Sequence, residues 1–295
     1  MTAEQRSPNP AKASPSSITI AISVLTHLLL LAPVIYIIVL SAKNYSPFSW
    51  HPILTTIGVG LLMLEAVFCV SGEAYISSRI TRKNRILIHW LLQSLGFGLM
   101  LAGVIVIIVR KESRKNPVHF KSVHGKLGLS ATILCALIIL SGIFADNTKW
   151  FYPRVRPITI KIIHAVAGML VTIVSLATVI NGTYSWWPST IVGRDLTFAS
   201  FVIGTFFIMI KPVLGAVSRS KFMFRKTPSN TSNSSSSNSS ISSNSSSSNS
   251  SSSSSSSSVL LVIVVVEYVR HVLRFVLFAL LVAPSDVNSV MRYGR

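Results

Sequence analysis

The sequence predicts an all-α membrane protein of six transmembrane helices, with helices two to five forming a central four-helix bundle. Three observations predict it. Half of the 295 residues are hydrophobic and only 12% are charged, about half the charge of an ordinary soluble domain, and mean hydropathy is +0.60. Six apolar runs are each long enough to cross a bilayer, for which roughly 20 helical residues suffice. Four histidines recur at near-equal intervals near the starts of the middle runs, which marks those helices as one unit.

Residues 1–17 are polar and contain proline, without the basic patch, short apolar core and small-residue site of a cleaved leader. They are expected to be an N-terminal tail ahead of a retained first span, Ile18 to Leu40. That span carries His27, which has no place in the histidine pairing below and is read as a non-ligand. The second span, Pro52 to Ile76, follows His51 and holds Glu65 at mid-membrane depth, where an ionisable group is costly and functional by default; proton coupling is one role for it and a neutral, hydrogen-bonded glutamic acid the other. The third (Ile86 to Val109), fourth (Val123 to Phe144) and fifth (Thr159 to Asn181) spans carry His89, His124 and His164, and the sixth runs from Ile191 to Val217. Residues 18–221 thus read as the folded six-helix domain.

Beyond it, residues 222–258 begin basic and pass into a Ser/Asn tract, a composition that buries no core and behaves as a flexible linker. Residues 259–295 open with an apolar segment interrupted by Glu267, Arg270, His271 and Arg274 on one helical face, so an interfacial amphipathic helix is expected rather than a seventh span. His271 is read as a non-ligand.

The net charge of +19 is spread unevenly. Fourteen Lys and Arg fall on the side of the N-terminus and eight on the other, which by the positive-inside rule makes the N-terminal side cytosolic. In a membrane protein such an excess points to lipid headgroups and anionic small molecules, with no nucleic-acid partner. Cys69 and Cys135 both lie in apolar spans, which excludes a disulfide framework and makes them packing residues.

Topology sorts the histidines. Spans two and four run inward, placing His51 and His124 at the non-cytosolic face; spans three and five run outward, placing His89 and His164 near the cytosol. His51 to His89 is 38 residues, His124 to His164 is 40, and the members of each pair stand 73 and 75 apart. Such spacing marks a duplicated two-helix unit, which brings equivalent helices face to face across a bundle whose interior holds cofactors. Paired imidazoles there suit haem iron, which needs two axial ligands; zinc would want three or four, with Cys or carboxylate available. Two haems b are therefore expected, His51 and His124 binding one iron, His89 and His164 the other, roughly 20 Å apart in depth. Gly128 and Gly168, each four residues after a histidine, are expected to leave room for the macrocycle or to allow close helix packing.

The segments FSWHP (Phe48 to Pro52), HW (His89, Trp90), VHGKLG (Val123 to Gly128) and KIIHAVAG (Lys161 to Gly168) resemble the cytochrome b561 family over about Phe48 to Lys221, and within it the small single-domain type. That resemblance implies four histidines for two haems, with ascorbate as cytosolic donor and monodehydroascorbate or a ferric iron chelate as acceptor. The vesicle and plant members' Tyr-Ser-Leu-His-Ser-Trp-Leu-Gly motif is replaced by Lys121, Ser122, Val123, His124, Gly125, Lys126, Leu127 and Gly128, so the aromatic hydroxyl is missing.

Arg82, Lys83 and Arg85 precede His89, and Arg154, Arg156 and Lys161 precede His164; these cations would steer an anionic donor or neutralise haem propionates, unless they only set topology. Lys115, His119 and Lys121 precede His124 and would hold an anionic acceptor, unless they form a solvated loop. An ascorbate-dependent transmembrane ferric or monodehydroascorbate reductase in the endoplasmic reticulum or a vesicle membrane, rather than the plasma membrane, is the reading that results; a homodimer is compatible with it. A quinone-linked cytochrome b subunit of a larger complex and a non-haem transporter or adaptor are the alternatives.

Overall fold

The structure, a computed structural model, describes residues 16–72, 75–185 and 190–224. The expected N-terminal tail ahead of Ser16, the Ser/Asn tract and the segment after it, with His271, lie outside the described residues. Among the described residues six helices are long and apolar enough to cross a membrane, and there is no strand. They are α1 (Ser17–Lys43), α2 (residues 50–71), α3 (Arg82–Glu112), α4 (Val123–Asp146), α5 (Pro157–Ser185) and α6 (Ile191–Phe224).

Five of the helices are longer than their apolar runs, because hydropathy counts only the lipid-crossing part; the second span, expected to reach Ile76, instead ends as a helix at Ser71, where Gly72 caps it. Polar residues carry the first turn of three helices. Ser16, Thr81 and Ser122 cap α1, α3 and α4, their side-chain oxygens accepting from the N–H groups of Thr19, Asn84 and Gly125, which satisfies donors that the helix start would otherwise leave unpaired.

The second helix departs most from a regular rod. After Trp50–Thr55 it widens into a π-helical segment, Thr56–Met63, and returns to α geometry over Leu64–Ser71. Gly58 and Gly60 lie in the wide part. A Cβ on Gly58 would stand 2.5 Å from the Gly96 carbonyl oxygen, and one on Gly96 2.8 Å from that of Gly58, so α2 and α3 cross backbone on backbone, the close approach that small residues permit in membranes. The helix ends at Gly72, whose φ of +77° is a left-handed cap that only glycine adopts freely.

Two tight hairpins result, α2 on α3 and α4 on α5, with few contacts between them. The first and last helices pack on each other and flank the hairpins; Leu30, Val34 and Ile37 of α1 and Phe201 and Ile208 of α6 join Leu64, Phe68 and Met100 in the buried core. Leucines and isoleucines spread along the outer helix faces are exposed, as a lipid-facing surface requires.

Candidate cofactor site

The four middle histidines occupy equivalent places in the two hairpins. His51 and His124 are each the second residue of their helices, Trp50–Thr55 and Val123–Asp146. His89 and His164 are each the eighth of theirs, Arg82–Glu112 and Pro157–Ser185. All four are partly buried.

Each ring is anchored by Nδ1 to the other helix of its own hairpin. His51 Nδ1 donates to the Gly103 carbonyl at 2.9 Å and His124 Nδ1 to that of Thr178 at 3.1 Å; His89 Nδ1 donates to the Ala66 carbonyl at 3.1 Å. His164 Nδ1 meets Ser141 Oγ at 3.0 Å, and since Ser141 gives its own proton to the Ile138 carbonyl at 2.8 Å, it accepts from the imidazole. A carbonyl can only accept, so the proton sits on Nδ1 and Nε2 keeps its lone pair. The partners repeat as the histidines do: Gly103 and Thr178, like Ala66 and Ser141, stand 75 residues apart. The second unit replaces one backbone acceptor by a side chain.

Across the hairpins the rings of His51 and His124 face each other with centroids 6.0 Å apart and planes at 85°. Two metal–nitrogen bonds of about 2.0 Å each, with the half-width of each ring behind them, span about 6 Å. His89 and His164 line a shared cavity of about 930 Å³, the size of a site for a large organic cofactor. It runs from Asp146, Arg82 and Lys161 at one end of the bundle to Cys135 and Ser175 at depth. Among the described residues no three His, Cys, Asp or Glu converge as a metal cage. Anchored imidazole pairs between two hairpins, with an open cavity and no cage, fit a haem iron that takes only two protein ligands.

The comparisons decide the family. The profile of the eukaryotic cytochrome b561 family matches residues 50–188. The mouse transmembrane reductase CYB561D2 is 31% identical over 172 residues, 57% of this chain and 75% of that protein; the human protein is 31% identical over 165 residues, 55% and 72%. This chain belongs to the cytochrome b561 family. The mouse plasma membrane ascorbate-dependent reductase CYBRD1 is 28% identical over 136 residues, 46% of this chain and 45% of that protein. No solved structure matches. Membership implies haem b as cofactor and electron transfer across the membrane as activity, in an oxidoreductase that is a multi-pass membrane protein.

The remaining expected residues divide. Arg82, Arg85 and Lys161 line the cavity of His89 and His164, whereas Lys83, Arg154 and Arg156 are exposed and outside its lining. Arg85 lies across Gly72, where a Cβ would collide with its guanidinium, and its buried Nε has no hydrogen-bond acceptor. That orphaned donor fits a site made for an anion. At the other end His119 is bound to Glu112, Nε2 to Oε1 at 2.7 Å, with Lys115 and Lys121 exposed.

Two contacts add to what the sequence indicates. His27 has a partner: its Nδ1 is 2.8 Å from Glu65 Oε1, and its ring packs edge-on against Phe68. The pairing scheme considered histidines alone and so missed a carboxylate across the α1–α2 packing. Gly168 does line the cavity and Gly128 rests against Thr178, but the glycines against the histidine rings are Gly142 and Gly182. A Cβ on Gly142 would lie 3.3 Å from His164 Cε1, and one on Gly182 2.9 Å from His124 Cε1. Their sequence signal was faint: Gly182 is one turn after the Thr178 acceptor, and Gly142 follows Ser141.

Proposed function

We propose that this chain carries two haems b, one held by His51 and His124 and one by His89 and His164, and passes electrons singly from cytosolic ascorbate to a non-cytosolic acceptor, monodehydroascorbate or a ferric chelate. What carries the reading is the repeated anchoring of four imidazoles by Nδ1, which leaves an Nε2 lone pair on His51 and His124, whose rings approach each other, and on His89 and His164, which share one cavity.

Haem iron supplies a one-electron ferric/ferrous couple when bound. Everything else falls to the residues. The imidazoles fix two sites at opposite ends of the bundle, and the acceptors on Nδ1 raise their basicity and favour the ferric state. Arg82, Arg85 and Lys161 draw an anionic donor to the mouth beside His89 and His164; the ascorbate monoanion gives up one electron to the cofactor and one proton to cytosolic water and leaves as monodehydroascorbate. At the other end, Lys115, His119 and Lys121 are assigned to an anionic acceptor, and Glu65, with His27, to proton coupling. The relative named as ascorbate-dependent supports the donor, and the basic excess on the N-terminal side supports a cytosolic N-terminus. The endoplasmic reticulum or a vesicle is the proposed membrane.

Purified protein in vesicles, with ascorbate on one side and a ferric chelate on the other, tests this. Ferrous chelate should form with the wild type and not with His89→Ala or His124→Ala; equal rates in all three would refute it.

A further inference from the structure

The cavity of His89 and His164 has a wall that the family profile does not cover. The profile ends at residue 188, yet Lys211, Gly215 and Arg219 of α6 line that cavity. They are spaced by four, so they form one stripe along the helix. The Arg219 side chain folds back along this stripe: a Cβ on Gly215 would stand 3.2 Å from its Nη2 and 4.0 Å from its Cζ. Arginine tends to lean towards its helix N-terminus, and Gly215 clears the path. The guanidinium is thereby brought back to the level of Gly215, one turn of about 6 Å from Lys211.

Arg85 of α3 also lies against a glycine, Gly72 at the end of α2. Among the described residues that line the cavity, Arg82, Arg85, Lys161, Lys211 and Arg219 carry positive charge and Asp146 alone negative. An oxyanion entering this cavity therefore meets a lining of mainly positive charge, contributed by α3, α5 and α6. Topology does not explain Lys211, which lies within the apolar span rather than in a loop.

We propose that α6 completes an anion site at this cavity, with Arg219, positioned by Gly215, and Lys211 as binding residues for carboxylate or enolate oxygens. The inference rests on the haem reading above. Two sources share that chemistry: the carboxylates of the cofactor itself and the anionic donor. With the donor as occupant, α6 is a substrate-binding element, so that substrate affinity is set partly outside the four-helix bundle.

The test uses full-length protein in lipid nanodiscs and the variants Arg219→Gln, Lys211→Gln and Gly215→Leu. The last keeps the charge but displaces it, and so must copy Arg219→Gln. If the donor is held, KM for ascorbate rises about tenfold, the loss of one charge-assisted hydrogen bond; KM for a neutral hydroquinone and the midpoint potentials stay at wild-type values. If cofactor carboxylates are held, the potential of one haem falls and the other does not move, because lost positive charge favours the ferric state. Unchanged KM and potentials in all three variants overturn the proposal. A wild type without haem, or not reduced by ascorbate, would instead overturn the underlying function.

Discussion

Replacing Gly182 by alanine should empty one haem site and spare the other. The added Cβ would stand 2.9 Å from His124 Cε1 and 3.3 Å from its Nδ1, where ordinary contact begins at 3.4 Å. The ring must retreat by about half an ångström, whereas metal–ligand distances tolerate about 0.2 Å. Retreat also pulls Nδ1 away from the Thr178 carbonyl, already at 3.1 Å. Loss of such a supporting contact costs roughly 10- to 100-fold in affinity, or about 1.4 to 2.7 kcal/mol. Haem per polypeptide, counted by pyridine haemochrome against protein concentration, should fall toward one on dilution or competition with apomyoglobin. The surviving haem should be the one that His164→Ala removes. Gly98→Ala is the control, since nothing lies within 4 Å of its Cβ position. Gly182→Ala protein that keeps both haems at wild-type affinity would refute the packing argument.

Three further outcomes follow from the same contacts. Ser141→Ala removes the acceptor of His164 Nδ1, so the His89/His164 haem should bind roughly 10-fold more weakly and show a shifted midpoint potential in redox titration, with the other haem unaffected. Gly72→Ala combines an unfavourable φ of +77° with a collision against Arg85; a loss of about 1 to 2 kcal/mol should appear as a lower Tm in detergent, together with a raised KM for ascorbate. Glu65→Leu strips His27 of its partner and should cost about 1.5 to 3 kcal/mol, read as a lower Tm, while Glu65→Gln keeps a hydrogen-bonding oxygen and stays near wild type.

The spans were legible from run length against bilayer thickness, and the four histidines stood out by a spacing that repeats every 73 to 75 residues. The His51–His124 approach at 6.0 Å is what facing hairpins produce. The details that depend on which side of a helix faces which neighbour were not legible. The π-helical segment Thr56–Met63 shifts the face that α2 presents beyond it, including that of Glu65, and no composition signal announces it. The contact with His27 is therefore a tertiary fact. Likewise Lys211 sits in an apolar run and escaped a charge survey made loop by loop, although the cavity shows it beside Arg219. The cations split for a geometric reason: Arg82, Arg85 and Lys161 lie on the helix faces turned to the cavity, whereas Lys83 is one residue off that face and Arg154 and Arg156 precede α5.

The most direct test counts haem in the wild type and in two double variants. Two haems per chain are predicted for the wild type. His51→Ala/His124→Ala should retain one, because both changes fall on the same iron, whereas His51→Ala/His89→Ala should retain none. A single haem in the wild type, or equal loss in the two double variants, would contradict the paired-histidine account.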